Sequence, residues 1–178
     1  MSSNSSSDTE SYNFKGEILN DKYLLIHEIG EGGFATVWLT LNIQDNKFYA
    51  IKIQFPDDYE DGIDEIDCLK KFKNKCPYIN TLLDHFIYKT THFEDDYELE
   101  EEHVCMVFEL MAGSLYDVIR VGKYSKGLPF ETVKIIMKQL LIAMDVINNK
   151  CKKIHTDIKP DNILIIGINN KVQDIINI

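Results

Sequence analysis

His155-Thr156-Asp157-Ile158-Lys159-Pro160-Asp161-Asn162 follows a segment of helical period and precedes the apolar run Ile163-Leu164-Ile165. In that preceding segment Val133, Ile136, Met137, Leu140, Met144 and Ile147 recur on one helix face, and Pro129 stands where a helix opens. Further upstream Ser114 suits the N-cap of a short helix to about residue 121, just after Ala112-Gly113. Before that point the character is different. Residues 23–29, 36–41 and 48–53 are β-branched and aromatic segments, separated by a glycine-rich turn and by Gln44-Asp45-Asn46-Lys47. A helix is expected over about residues 63–72, where Ile66, Leu69 and Phe72 repeat, and Cys76-Pro77 closes it. Two more strands are expected over residues 81–88 and 103–109, flanking an acidic run. Strands with one helix, then mostly helices, predict an α+β fold of two unlike lobes meeting near residues 110–113.

The bulk properties narrow the function. The chain of 178 residues is long enough to bury a core, with 44% apolar and 27% charged residues. Its longest apolar runs fall far short of the ~20 residues a membrane span needs, and no secretory signal opens it. Cys68, Cys76, Cys105 and Cys151 lie apart without paired spacing, which argues against a zinc site or a disulfide framework. A cytosolic or nuclear location, and not secretion, is the expectation. The net charge of −10 argues against non-specific nucleic-acid binding. The run from Glu94-Asp95-Asp96 to Glu100-Glu101-Glu102 is expected to be a solvated loop, with a docking surface for basic peptides as the alternative. Residues 1–15, Ser-rich and polar, are expected to form a disordered tail.

Gly30-Glu31-Gly32-Gly33-Phe34-Ala35-Thr36-Val37 lies between the first two strands. Glycines at such a turn let main-chain N–H groups approach a polyphosphate, because no Cβ intervenes and positive φ is available. A dinucleotide-binding loop would run from strand into helix, whereas this one runs strand to strand. A simple glycine-rich hairpin is the competing reading of these residues alone. Lys52, in Ala50-Ile51-Lys52, sits inside an apolar strand, where burial is costly without a partner. Glu65 shares a helix face with Leu69 and is the expected partner, while Asp64 and Asp67 point elsewhere. A lysine snorkelling to the surface is the alternative.

Residues 155–162 resemble the protein-kinase H-R-D-x-K-P-x-N signature in all but one fixed position. Thr156 in place of the usual arginine narrows the resemblance to the SR-protein kinases. So do Val104-Cys105-Met106-Val107-Phe108-Glu109, Phe34-Ala35-Thr36-Val37-Trp38-Leu39, Leu83-Asp84-His85-Phe86 and Gly127-Leu128-Pro129. The likeness covers about residues 16–164. It implies a protein-kinase-like α+β fold with a β-rich N-lobe over 22–109, a hinge at 110–113 and part of a helical C-lobe over 114–178. It also implies a serine/threonine kinase that moves the γ-phosphate of ATP to a protein hydroxyl with Mg²⁺. Asp157 would orient the attacking hydroxyl, Lys159 would neutralise the transferred phosphoryl group, and Lys52 with Glu65 would hold the nucleotide phosphates. Asn162 would hold Mg²⁺. Ile29, residues 30–37, Ala50, Phe108 and the main chain of Glu109 and Met111 would contact the nucleotide, with His155 structural. Protein substrates, Arg/Ser-rich by this likeness, are the implied partners.

A complete kinase also needs an Asp-Phe-Gly motif and further C-lobe helices. The nearest candidate for the second metal ligand is Asp174, but Ile175 and Ile176 stand where Phe and Gly belong. The rival reading makes Ile168, Val172, Ile175 and Ile176 one face of a spacer helix. The expectation is therefore a kinase truncated or split before that motif, complemented by a C-lobe fragment. The alternatives are a non-catalytic ATP-binding module and an interaction protein that recruits a partner through exposed helices.

Overall fold

The computed structural model describes residues 13–94, 97–120, 124–150 and 152–166. The α+β order expected from the sequence is the order found. Six strands, β1 (Ile18–Leu19), β2 (Tyr23–Glu31), β3 (Ala35–Asn42), β4 (Lys47–Gln54), β5 (Asp84–Glu94) and β6 (Tyr97–Glu109), form one antiparallel sheet in the order β1-β2-β3-β4-β6-β5. Helix α1 (Tyr59–Phe72) crosses one face. A two-stranded ribbon of β7 (Gly113–Ser114) and β8 (Leu164–Ile165) follows, with α2 (Leu115–Arg120) and α3 (Phe130–Asp145) between its strands.

Strand β6 explains the packing. Val104, Cys105, Met106 and Val107 are all fully buried, and successive side chains of a strand point to opposite faces. Cys105 and Val107 join Leu25, Trp38, Ile51 and Ile53 in one core. Val104 and Met106 join Leu82 and Ile66 of α1 in the other. Burial pushes the Cys105 thiol up to about 12, so it is an apolar filler and not a nucleophile.

Helix α1 begins at Tyr59, before the expected residue 63, because a 3-10 turn over Pro56–Asp58 leads straight into it. Glu60 and Asp61 lie in its first turn and Lys70 and Lys71 in its last, complementing the helix dipole. At α2, Ser114 Oγ accepts from the Asp117 amide at 3.2 Å and the Asp117 carboxylate accepts from the Ser114 amide at 2.8 Å. Helix α3 passes into a π turn over Val146–Lys150. Its Ala143, and Val146 of the turn, are buried with Cys76, whereas Phe130, Ile135 and Leu141 stay 59–71% exposed.

Two expectations need correction. The described part of the acidic run is not a loop: β5 runs to Glu94 and β6 starts at Tyr97, so Glu98 to Glu102 lie in a hairpin strand. The Phe, Ile, Tyr and Thr residues of β5 favour the pleated backbone, and Lys89 meets Glu100 and Glu102 at 3.0 Å each. The tail reading also stops too late. Phe14 is 3% exposed, edge-on to Trp38, Tyr88 and His103, and the Gly16 amide donates to the Leu25 carbonyl at 2.8 Å. Two aromatics, Tyr12 and Phe14, in a polar stretch are too few to carry a periodic signal. Residues 1–12, Asp174 and the spacer helix expected around it lie outside the described residues.

Replacing Phe14 by Ala should cost about 3–5 kcal/mol by urea unfolding, as for a core aromatic; a loss near zero would return it to the tail. His103, fully buried between the Gln54 carbonyl and Thr90 Oγ1, both at 3.1 Å, is held below its ordinary value mainly by burial. The unfolded chain therefore binds its proton more readily. Its contribution to stability is complete above about pH 6.5 and is lost as pH falls through the depressed folded value. Urea midpoints at pH 7.5 and 5.5 should separate more in the wild type than in His103→Gln; equal separations would remove His103 as the cause.

Candidate active site

The turn from Gly30 to Val37 carries the end of β2 into β3, in register Gly30↔Val37 and Glu31↔Thr36. The Gly32 amide donates to the Ala35 carbonyl and the Phe55 amide to the Phe34 carbonyl, both at 2.9 Å. Gly30, Gly32 and Gly33 are not among the residues with positive φ, so conformational freedom is not what the turn uses. Nor does the chain's own packing exclude side chains there. A Cβ on Gly33 would meet nothing within 4 Å, and on Gly30 or Gly32 its nearest neighbour would be 3.7 Å away. The room above the turn thus fits a group brought from outside, and a triphosphate approached by main-chain N–H groups suits it. Phe34 is 65% exposed at the tip, Ile29 is exposed, Ala35 is buried, and Thr36 Oγ1 accepts from the Trp38 indole at 3.0 Å.

Lys52 stands in β4 opposite Val37 on one side and Met106 on the other. Its Nζ meets Glu65 Oε2 of α1 at 2.5 Å, with the side chains 27% and 36% exposed. The selection of Glu65 over its neighbours follows from the helix face. Ile66 is buried against β6, whereas Asp64 and Asp67 are exposed and Asp67 turns to Lys70 at 3.8 Å. Ala50 lies between Leu39 and Phe108, both across-strand neighbours, and Phe108 packs on the α1 core. Glu109, the last residue of β6, is exposed and faces Tyr49, and Met111 is half-buried just beyond it.

Residues 155–162 fold into a small hydrogen-bonded unit. The Asp157 carboxylate accepts from Lys159 Nζ at 3.0 Å and from Asn162 Nδ2 at 2.9 Å, and Asn162 Nδ2 also reaches the Asp157 carbonyl at 2.9 Å. Lys159 beside it, helped by Asn162, holds the Asp157 carboxyl below the usual carboxylate range, so it is ionised at neutral pH. The Asp157 amide donates to the His155 carbonyl at 2.7 Å across Thr156, whose φ of 58° is uncommon for a β-branched residue. A 3-10 turn over Pro160–Asn162 leads to β8, and the unit is tied down there. Leu115 donates to the Ile163 carbonyl at 2.7 Å and Ala112 to the Ile165 carbonyl at 2.9 Å. Behind it, His155 and Ile158 join Leu69, Phe72 and Leu140 around a cavity of about 250 Å³.

The donor set also bears on a metal. With Asn162 Nδ2 committed to Asp157, its Oδ1 is the acceptor left for a hard cation such as Mg²⁺. Among the described residues no group of three or more His, Cys, Asp or Glu side chains forms a metal cluster. Gly62 of α1, buried against β6, is not marked by the sequence pattern, because it lies one residue before the helix expected from residue 63.

The protein kinase domain family matches residues 23–175. A protein of Acanthamoeba polyphaga mimivirus named as a serine/threonine-protein kinase is 38% identical over 168 residues, covering 92% of this chain and 30% of its own length. Human SRSF protein kinase 3 is 36% identical over 155 residues, covering 84% of this chain and 26% of its own. A crystal structure of a kinase domain superposes with a TM-score of 0.67 at 30% identity, over 88% of this chain and 43% of that one. The chain therefore spans about a third or less of the length of these curated relatives. Its fold, its signature residues and its relatives agree: the chain belongs to the protein kinase family, among serine/threonine kinases that include SR-protein kinase relatives.

Proposed function

We propose that this chain supplies the nucleotide site and catalytic loop of a serine/threonine protein kinase acting on Arg/Ser-rich protein segments. The observation that carries the reading is the Asp157 carboxylate held by Lys159 and Asn162 in one hydrogen-bonded unit. An ionised, oriented carboxylate is the group required to direct a substrate hydroxyl at a phosphoryl centre, and the adjacent ammonium offsets charge as the phosphoryl moves. The Lys52–Glu65 pair adds a cation for the nucleotide phosphates. Main-chain amides of Gly30 to Val37 line the phosphates, and Ile29, Ala50, Phe108, Glu109 and Met111 bound the base. Asn162, with Asp174 as the weaker candidate, holds Mg²⁺, which when bound screens the phosphate charge.

The name of the human relative and the net charge of −10 support a basic, Ser-containing substrate. No helix of the described residues is long and apolar enough to cross a membrane, and a cytoplasmic or nuclear setting fits the reading. The exposed Phe130, Ile135 and Leu141 of α3 support packing of further helical C-lobe structure, in this polypeptide or another. Thr156, in place of the family's arginine, favours an enzyme independent of activation-loop phosphorylation. One feature favours a second reading, a non-catalytic nucleotide-binding module: Ile175 and Ile176 follow Asp174 where Phe and Gly belong.

Two measurements test these readings. Saturating Mg-ATP should raise the melting temperature, with ~2.7 kcal/mol of stabilisation at a hundredfold excess over Kd. Lys52→Ala should weaken that binding by about tenfold or more, as for loss of a charged hydrogen-bond partner. No shift in the wild type, or an undiminished one in Lys52→Ala, removes the nucleotide site. Transfer of labelled γ-phosphate to an Arg-Ser repeat peptide should fall by roughly 10²–10⁴ in Asp157→Asn, with Mg-ATP affinity nearly unchanged. Binding of Mg-ATP with no transfer by the wild type selects the second reading, and transfer that survives Asp157→Asn excludes the assigned role of Asp157.

A further inference from the structure

We infer that Gly62 is the residue that positions Glu65 on Lys52, by letting α1 lie closer to the sheet than any side chain would permit. Its significance for phosphate binding rests on the kinase reading above; its geometry does not. Gly62 is buried, and a Cβ built on it would stand 2.9 Å from Val104 Cβ, 3.1 Å from Cγ2 and 3.2 Å from Cγ1. The obstacle is not the end of a flexible side chain. Val104 Cβ is fixed to the backbone of β6, which is paired with β4 on one side and with β5 on the other, where Val104 faces Ile87. The side chain is fully buried and walled by Ile66, Leu82 and Met106. Restoring even a 3.4 Å contact therefore moves the helix outward by about 0.5 Å or more.

That movement falls on the ion pair. Gly62, Glu65, Ile66 and Leu69 recur at the spacing that shares one helix face, so Glu65 sits less than one turn from the contact. Lys52 Nζ and Glu65 Oε2 are in direct contact, so an outward shift of the helix lengthens the pair. Lys52 belongs to β4 and is held in register with Met106 of the same β6 strand that Gly62 touches. One strand thus bears both the stop for the helix and the neighbour of the lysine, and the glycine sets the gap between them. Glycine is the poorer helix former, so alanine here would improve intrinsic helix propensity while worsening the contact.

The test compares the wild type, Gly62→Ala, Glu65→Gln and the double variant. In nucleotide-free protein, acylation of Lys52 by an amine-reactive ester is followed by mass spectrometry against exposed Lys126. Gly62→Ala should speed Lys52 labelling by about threefold or more, towards the rate in Glu65→Gln, and add nothing in the double variant, as coupled residues behave. A wild-type rate in Gly62→Ala, or effects that multiply, overturns the proposal, because a merely structural role would not act through Glu65. Mg-ATP affinity should follow the same pattern, about fivefold weaker in Gly62→Ala but unchanged between Glu65→Gln and the double variant. Failure of the wild type to bind Mg-ATP sinks the nucleotide reading, and labelling alone then decides the inference. If Gly62→Ala does not fold, adding Val104→Gly removes all three contacts, the 2.9 Å one to Cβ included, and should restore folding; a pair that stays unfolded overturns the proposal.

Discussion

Burial of β6 from both sides is the constraint on which the rest of the structure hangs. Val104 and Met106 face α1 while Cys105 and Val107 face the aromatic core of Phe14, Tyr23 and Trp38. A strand covered on both faces cannot shift register by one residue without turning every side chain into the wrong core. It therefore fixes β4 beside it, and with β4 the height of Lys52. The same strand supplies the floor on which α1 rests, so the helix carrying Glu65 and the strand carrying Lys52 share one reference surface. The ion pair is a consequence of that packing. At 27% and 36% exposure its own electrostatic contribution to stability is modest.

The loop over residues 155–162 is organised differently. Its residues are largely exposed, and what holds Asp157, Lys159 and Asn162 together is a set of local hydrogen bonds, anchored by the β7–β8 ribbon. Local bonding explains how the loop keeps its arrangement with so little apolar burial. It also explains why Asp157 stays ionised: an exposed carboxylate next to an ammonium has no desolvation cost large enough to protonate it. The two parts of the site thus depend on different physics, one on the core and one on local hydrogen bonds. The α1–α3 cavity, lined by Leu69 on one side and His155 on the other, lies between them.

Much of this was legible in the residues. Lys52 and Glu65 were identifiable because a charge in an apolar strand needs a partner, and helix periodicity leaves only one carboxylate on the right face. The 155–162 unit was legible because its functional groups lie within eight residues and bond to one another. The reach of the β5–β6 hairpin was less so, because seven acidic residues between 94 and 102 read as solvated loop by composition. Cross-strand contacts such as Lys89 with Glu100 and Glu102 exist only once the strands have paired. Phe14 was hidden for a related reason: two aromatics at the end of a polar stretch set no period, and its partners Trp38, Tyr88 and His103 lie at remote positions in the chain.

By itself, then, the sequence determined the order of strands and helices, the glycine turn, the lysine and its carboxylate, and the hydrogen-bonded loop over residues 155–162. Each of these is written in neighbouring residues or in a short repeat. Only the tertiary structure decided how closely the elements approach. It showed that the glycines of the turn leave room above them without adopting positive φ. It showed also that Gly62 presses against Val104 with no space for a methyl group. Distances between elements are set by the packing of side chains distant in sequence, and no local pattern encodes them.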